Sequence, residues 1–179
     1  MVLQGAANAL NETTFHPTAR DIWHPMLKRL YAYWEGLAAS GLPARRDIHP
    51  SDMRGLLGNI AILKLEAPAS DATAKSAHPA FRVKLMGTRM SEDFGRDLTG
   101  SLVDDVFPSE TINRLHRLID DAAPYFASSV RLGGGPILQR QTAQHYSALC
   151  LPLADDGTTP NQVLVGLYFH PLFALERPA

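Results

Sequence analysis

The side chains able to do chemistry are few, and one of them is placed where it would matter. Ile112, Leu115, His116 and Ile119 stand at i, i+3, i+4 and i+7, so they share one face of a helix that starts near Ser109 and stops before Pro124. A neutral imidazole on such a face can ligate iron or donate to a ligand carbonyl; the plainer reading is a core histidine satisfied by a backbone group. Cys150 is the only cysteine, which leaves no internal disulfide and no multi-cysteine zinc or iron–sulfur site. It falls within a strand pattern, where a thiol is a small buried hydrophobe. Asp104 and Asp105 are neighbours that a helix would turn apart, and Asp155 and Asp156 sit in a turn, so neither pair makes a general acid/base couple. An Asp–His pair brought together in space, such as His145 with Asp93, is the arrangement left for a small hydrolase or isomerase. Arg45, Arg46 and Arg54, with Asp47, either cradle an anion or lock a connector by ion pairs. Gly133-Gly-Gly-Pro136 is a hairpin turn, because no helix N-terminus follows it to receive a phosphate.

These residues need elements to hold them, and the stretch from Phe81 to Phe107 organises the rest. Phe81, Val83 and Leu85 alternate with Arg82 and Lys84, the period of a half-buried strand, and the pattern stops at Gly87-Thr88. Glycine-punctuated short segments follow. Upstream, Trp23, Leu27, Leu30, Trp34 and Leu37 recur at steps of four and three, an amphipathic helix widened by Met26 and Tyr31 and ended by Gly41 and Pro43. That stripe either packs on the domain's own sheet or forms a heptad-like seam with a second copy. A short helix is expected near Pro50, with Met53, Leu56 and Leu57 inward. Strands are expected over 59–66, 81–86, 125–132, 142–153 and 161–169. The last is apolar on both faces, with Val163, Val165, Leu167 and Phe169 on one and Leu164 and Tyr168 on the other, so it should be central and covered on both sides. The result is a single α+β domain: a five-stranded antiparallel sheet with short helices on one face and the N-terminal amphipathic helix covering the other. Residues 1–18 read as a flexible arm, 19–58 as the helix and connector, 59–172 as the core and 173–179 as a short tail, with a surface loop over 67–79.

Composition supports a packed core, with 45% hydrophobic and 20% charged residues, and the net charge of −1 gives no overall pull toward nucleic acid or acidic membrane. The first residues lack a secretory pattern and no run approaches the ~20 apolar residues of a membrane span, so a soluble, cytoplasmic protein is expected.

Four segments in order carry a family resemblance: Leu42-Pro-Ala-Arg-Arg-Asp-Ile-His-Pro-Ser-Asp-Met53 after a tryptophan-containing helix, Phe81-Arg-Val-Lys-Leu-Met-Gly-Thr88, Phe94-Gly-Arg-Asp-Leu-Thr-Gly100 and Leu151-Pro-Leu-Ala-Asp-Asp-Gly157. Over about residues 20–172 the chain resembles a bacterial group of stand-alone PAS-like proteins. The resemblance implies a sheet ordered 2-1-5-4-3, a cavity between sheet and helices, and dimerisation through the N-terminal helix. It also implies a non-catalytic sensory or regulatory role, with a small molecule or a signalling protein as partner. Haem-binding PAS domains carry their iron ligand on the helix corresponding to that of His116, and flavin photochemistry of the PAS type needs a cysteine in a short helix rather than in a strand. His116 read as a core histidine leaves haem disfavoured, Cys150 in a strand leaves flavin disfavoured, and no cofactor is assigned.

Within that frame the expected pocket residues are Leu85 and Met90 on the near wall, Phe94 as lid, Leu115 and His116 from the helix, and Leu149, Leu167 and Phe169 from the sheet. A one-residue slip in the last two strands would invert the sheet assignments. Arg45, Arg46 and Arg54 are the anion-contact candidates, and Trp23, Leu27, Leu30, Trp34 and Leu37 the dimer-interface candidates. The competing functions are an interaction or dimerisation module with a solid core, and a small cavity enzyme.

Overall fold

The computed structural model describes residues 12–67, 79–131 and 144–170. The expected arm over 1–11, loop over 68–78, hairpin turn at Gly133-Gly-Gly-Pro136 and tail over 173–179 lie outside the described residues. The elements run β1 (Glu12–Phe15), α1 (Pro25–Leu37), β2 (Ile60–Glu66), β3 (Ala80–Met86), α2 (Thr88–Phe94), α3 (Ser109–Asp121), β4 (Tyr125–Arg131), β5 (Gln144–Leu153) and β6 (Gln162–His170). All strand pairings are antiparallel, in the order β1-β4-β5-β6-β2-β3. Without β1 this is the 2-1-5-4-3 order that the resemblance implies.

The sixth strand corrects the expected arm. Glu12–Phe15 pairs with β4, with Glu12 opposite Ser128 and Phe15 opposite Tyr125. Thr13, Thr14 and Phe15 are all strand formers. Docking is reinforced by the Phe15–Tyr125 ring contact at 5.7 Å and by the Arg117 guanidinium 3.9 Å above the Phe15 ring. The connector is corrected as well. Three short 3-10 turns (Arg45–Asp47, Pro50–Met53 and Leu57–Asn59) replace the single short helix, with Met53 and Leu56 buried and Leu57 facing solvent.

The central strand is β6, covered on both faces. On one side Leu164 joins Ile60, Ile62, Phe126, Leu149, Leu151 and Leu153 beneath α1; on the other, Val163 and Leu167 join Ala61, Leu63, Phe81, Val83 and Leu115 beneath α2 and α3. Gly166 lets α1 come down onto the sheet: a Cβ there would lie 2.6 Å from Leu30 Cδ2 and 2.7 Å from Leu27 Cδ2. Pro25 occupies the first helical position of α1, and His24 caps it, with Nδ1 accepting from the Leu27 N–H at 3.4 Å. The Trp34 indole donates to the Pro152 carbonyl at 2.9 Å.

This packing decides between the two readings of the α1 stripe. Leu27, Leu30 and Trp34 are buried against the chain's own β-sheet, and Trp23 and Leu37 pack partly buried at the margin of the same cluster. The stripe of Trp23, Leu27, Leu30, Trp34 and Leu37 is therefore internal core, which corrects its expected use as a dimer seam. A single helix has one apolar stripe, and here the sheet occupies it.

The cap of α1 belongs to a histidine–aromatic cluster. His24 packs on Tyr168 and His170 with ring centroids 4.3 and 5.0 Å apart, and Trp23 stacks on His145 at 5.8 Å. Burial first, then the neighbouring His170, pushes the His24 pKa from 6.5 down to about 4; burial also lowers that of His170. Between those values the unfolded chain binds the proton and the folded one does not, so folding stability rises with pH across this window. Stability should be fully present above pH 6.5 and fall on acidification toward pH 4, by about 1–2 kcal/mol from His24. Urea titrations at pH 7.5 and 4.5 measure this. His24→Asn, which keeps a capping side chain without the imidazole, should flatten the dependence; an unchanged slope would show that His24 is not its source.

Candidate functional site

The sheet face opposite α1 is not solidly filled. Between it and the helices α2 and α3 lies a cavity of about 100 Å³, comparable to space that holds a benzene-sized molecule. Strands β2 to β6 contribute its floor, including Leu63, Met86, Tyr125, Cys150, Leu167 and Phe169; α2 contributes Met90 and Phe94, and α3 contributes Thr111, Arg114 and Leu115. Phe94 is held edge-on between Phe107 and Phe169, both centroids 5.7 Å away. Phe107, Thr111, Arg114, Tyr146 and Phe169 are partly exposed and form the rim.

Five of the expected pocket residues line this cavity: Met90, Phe94, Leu115, Leu167 and Phe169. Three do not. Leu85 is displaced by a bulge in β3: Ile62 pairs with Leu85 but Leu63 pairs with Val83, which leaves Lys84 as the extra residue. The bulge inverts the alternation, so Met86 lines the cavity and Leu85 is exposed beside Ile62 on the other face. Leu149 lies beneath α1, because its strand partners Phe126 and Gly166 belong to that face, and its neighbours Ala148 and Cys150 line the cavity instead. His116 stands outside the lining, half-buried, with its ring 5.1 Å from that of Phe81. The α3 face turned to the cavity is Thr111, Arg114 and Leu115, a spacing of i, i+3 and i+4 one step round the helix from the face expected.

Arg114 carries no signal in the sequence that would mark it for the cavity, because a charged residue on a helix is ordinarily solvent-facing. It is the one charged residue in the lining among the described residues. It pairs with Glu110 one turn earlier, whose carboxylate is largely exposed while the guanidinium is mostly buried. Its positive charge acts on the buried Tyr125 hydroxyl and Cys150 thiol, which belong to residues opposite each other across β4 and β5. Burial dominates for both: Tyr125 is raised well above its ordinary value and Cys150 is pushed up to about 12. Cys150 is thus a protonated thiol in the pocket wall rather than a nucleophile.

The Asp–His pairing that an enzyme would need is not formed between Asp93 and His145. Asp93 lies on α2, 3.9 Å from Arg89, whereas His145 stacks on Trp23 on the α1 side of the sheet, with Nε2 2.8 Å from the Ser128 hydroxyl. Among the described residues the cavity lining holds no Asp, Glu or His. The three connector arginines do not form a common cradle: Arg45 donates to the Ile48 carbonyl at 3.2 Å and lines a second pocket of about 350 Å³ between the connector and the β2–β3 edge, whereas Arg46 and Arg54 are exposed. No group of three or more His, Cys, Asp and Glu side chains able to hold a metal occurs among the described residues. Nor is any helix there long and apolar enough to cross a membrane.

A family model described as a PAS domain matches residues 22–168, from the residue before Trp23 to within two residues of the end of β6. The chain belongs to the PAS domain family. In this PAS domain the matched region takes in α1 as well as the five-strand core. A solved structure with a similar fold is that of an RNA-binding Light-Oxygen-Voltage receptor, at 11% identity and a TM-score of 0.44, with 88% of this chain and 38% of that chain covered. No curated protein gives a match.

Proposed function

We propose that this PAS domain is a non-catalytic sensory or regulatory module that takes a small, largely apolar molecule into the cavity between its sheet and α2–α3. It would pass occupancy to a signalling partner, in a cytoplasmic setting. The observation that carries the reading is the cavity: about 100 Å³ walled by apolar side chains in the midst of an otherwise well-filled core. Empty apolar space forfeits dispersion contacts, so filling it stabilises the fold. The lid side chains Met90 and Phe94 belong to the seven-residue helix α2, which leads directly into the Gly95–Gly100 segment, so a molecule against them meets a short surface element. That segment lies along the outer edge of β3, where the Gly100 N–H donates to the Val83 carbonyl and the Ser101 carbonyl accepts from the Val83 N–H.

Toluene at a hundredfold excess over its Kd should stabilise the protein by about 2.7 kcal/mol. For a chain of this length that raises Tm by roughly 5–10 °C. Ala148→Val, which places two methyl groups in the cavity, should abolish the shift. Native mass spectrometry of freshly purified protein would show a carried ligand directly. If no small apolar molecule raises Tm, the cavity is not a binding site for ligands of this class and the reading fails.

A further inference from the structure

The cavity has a polar end, and its composition is one-sided. Of its lining residues only Arg114 is charged, and the polar groups near it, the Thr111 and Tyr125 hydroxyls and the Cys150 thiol, are neutral. No carboxylate among the described residues shares the lining; the partner of Arg114, Glu110, projects into solvent with its side chain 73% exposed. A guanidinium is a planar fork of donors matched to a carboxylate, and an anion entering an apolar cavity needs such a partner to offset its desolvation. Resting on the reading that this cavity binds small molecules, we propose that its ligand is a small monocarboxylate with a benzene-sized apolar body, its carboxylate held by Arg114 at the rim and its body against Phe94 and Leu167.

The arrangement sets an order of preference by charge. The apolar walls accept any body of the right size. Arg114 rewards a negative head group and repels a positive one, so benzoate binds most tightly, toluene less tightly and benzylammonium least. Glu110 competes with the ligand for the same guanidinium. Its removal therefore strengthens carboxylate binding, the opposite of what a merely structural Glu110–Arg114 pair would do.

Binding of benzoate, toluene and benzylammonium is measured by NMR titration on the full chain at pH 7. In the wild type benzoate is expected to bind about tenfold more tightly than toluene. Arg114→Met, which keeps the aliphatic stem, should remove that advantage, so that benzoate no longer binds more tightly than toluene to the variant. Glu110→Gln, on an exposed side chain, should tighten benzoate and leave toluene unchanged, and this arm stands even if Arg114→Met folds poorly. Toluene binding as tightly as benzoate, or benzoate indifferent to both substitutions, overturns the carboxylate assignment while the apolar pocket stands. Failure of both benzoate and toluene to bind overturns the pocket reading itself.

Discussion

Gly87→Ala is expected to cost about 3 kcal/mol of stability, near the upper end of what overpacking does, and to lower Tm by roughly 10 °C. The backbone at Gly87 is ordinary, with φ −68° and ψ 151°, so conformation is not the cause. The cause is contact: a Cβ there would lie 2.3 Å from the Leu57 carbonyl oxygen, 2.4 Å from that of Gly58 and 2.6 Å from the Gly58 carbonyl carbon. All three are main-chain atoms, which cannot rotate aside as a side-chain end can. Gly87 also donates its N–H to the Ile60 carbonyl at 2.8 Å and precedes the first turn of α2, so room for a methyl must come from parting the Leu57–Asn59 turn from α2. Gly36→Ala is the matched control. It lies on the exposed side of α1 with nothing within 4 Å of the added methyl, and should stabilise by up to about 1 kcal/mol. Urea denaturation of the two variants measures the difference; equal effects would mean that the close approach at Gly87 is not what holds the α2 end of the pocket.

Phe94→Ala should destabilise by about 3–5 kcal/mol and at the same time make the protein a better receptor for apolar ligands. Phe94 is 1% exposed and makes edge-to-face contacts with both Phe107 and Phe169, so truncation removes a large buried area and two aromatic pairs. The space it leaves joins the existing cavity, because Phe94 is part of its wall. Two signs are therefore expected in one variant: a lower Tm in buffer, and a larger Tm gain than wild type on saturation with toluene. A collapsed site would show the first without the second, and that outcome would falsify the placement of Phe94 as a removable wall. Phe81→Ala, at a fully buried core position outside the cavity lining, should lose stability without the enlarged toluene response.

The elements differ in how far their residues announce them. α1 was legible because five large apolar residues repeat at helical steps over two heptads, and β6 because it is apolar at every turn of the pleat; one-dimensional periodicity reports both. The strand order followed from the family resemblance, not from any pattern within a strand. β1 carried a signal, the strand-forming Thr13, Thr14 and Phe15, but four residues are too few to outweigh a small polar context. Met90 and Phe94 line the cavity because α2 follows directly from Gly87 and its register admits little choice. Leu85 failed because one extra residue, Lys84, changes the parity of all that follows, and no side-chain pattern records a bulge. Leu149 failed because Ala148, Leu149 and Cys150 are all apolar, so β5 reads alike in either parity. His116 falls outside the lining and Arg114 inside it because the apolar spacing of α3 does not say which edge of its face meets the sheet.

By itself the sequence determined the fold class, the two-sided burial of β6, the amphipathic helix across the sheet and the glycine-bounded entry to α2, because local periodicity and the points where it breaks state them directly. Only the tertiary structure decided which face of α3 meets the cavity, that the α1 stripe is core rather than seam, and that an arginine closes an apolar pocket. Each depends on which atoms another element brings within contact distance, and residues far apart in the chain carry no record of that distance.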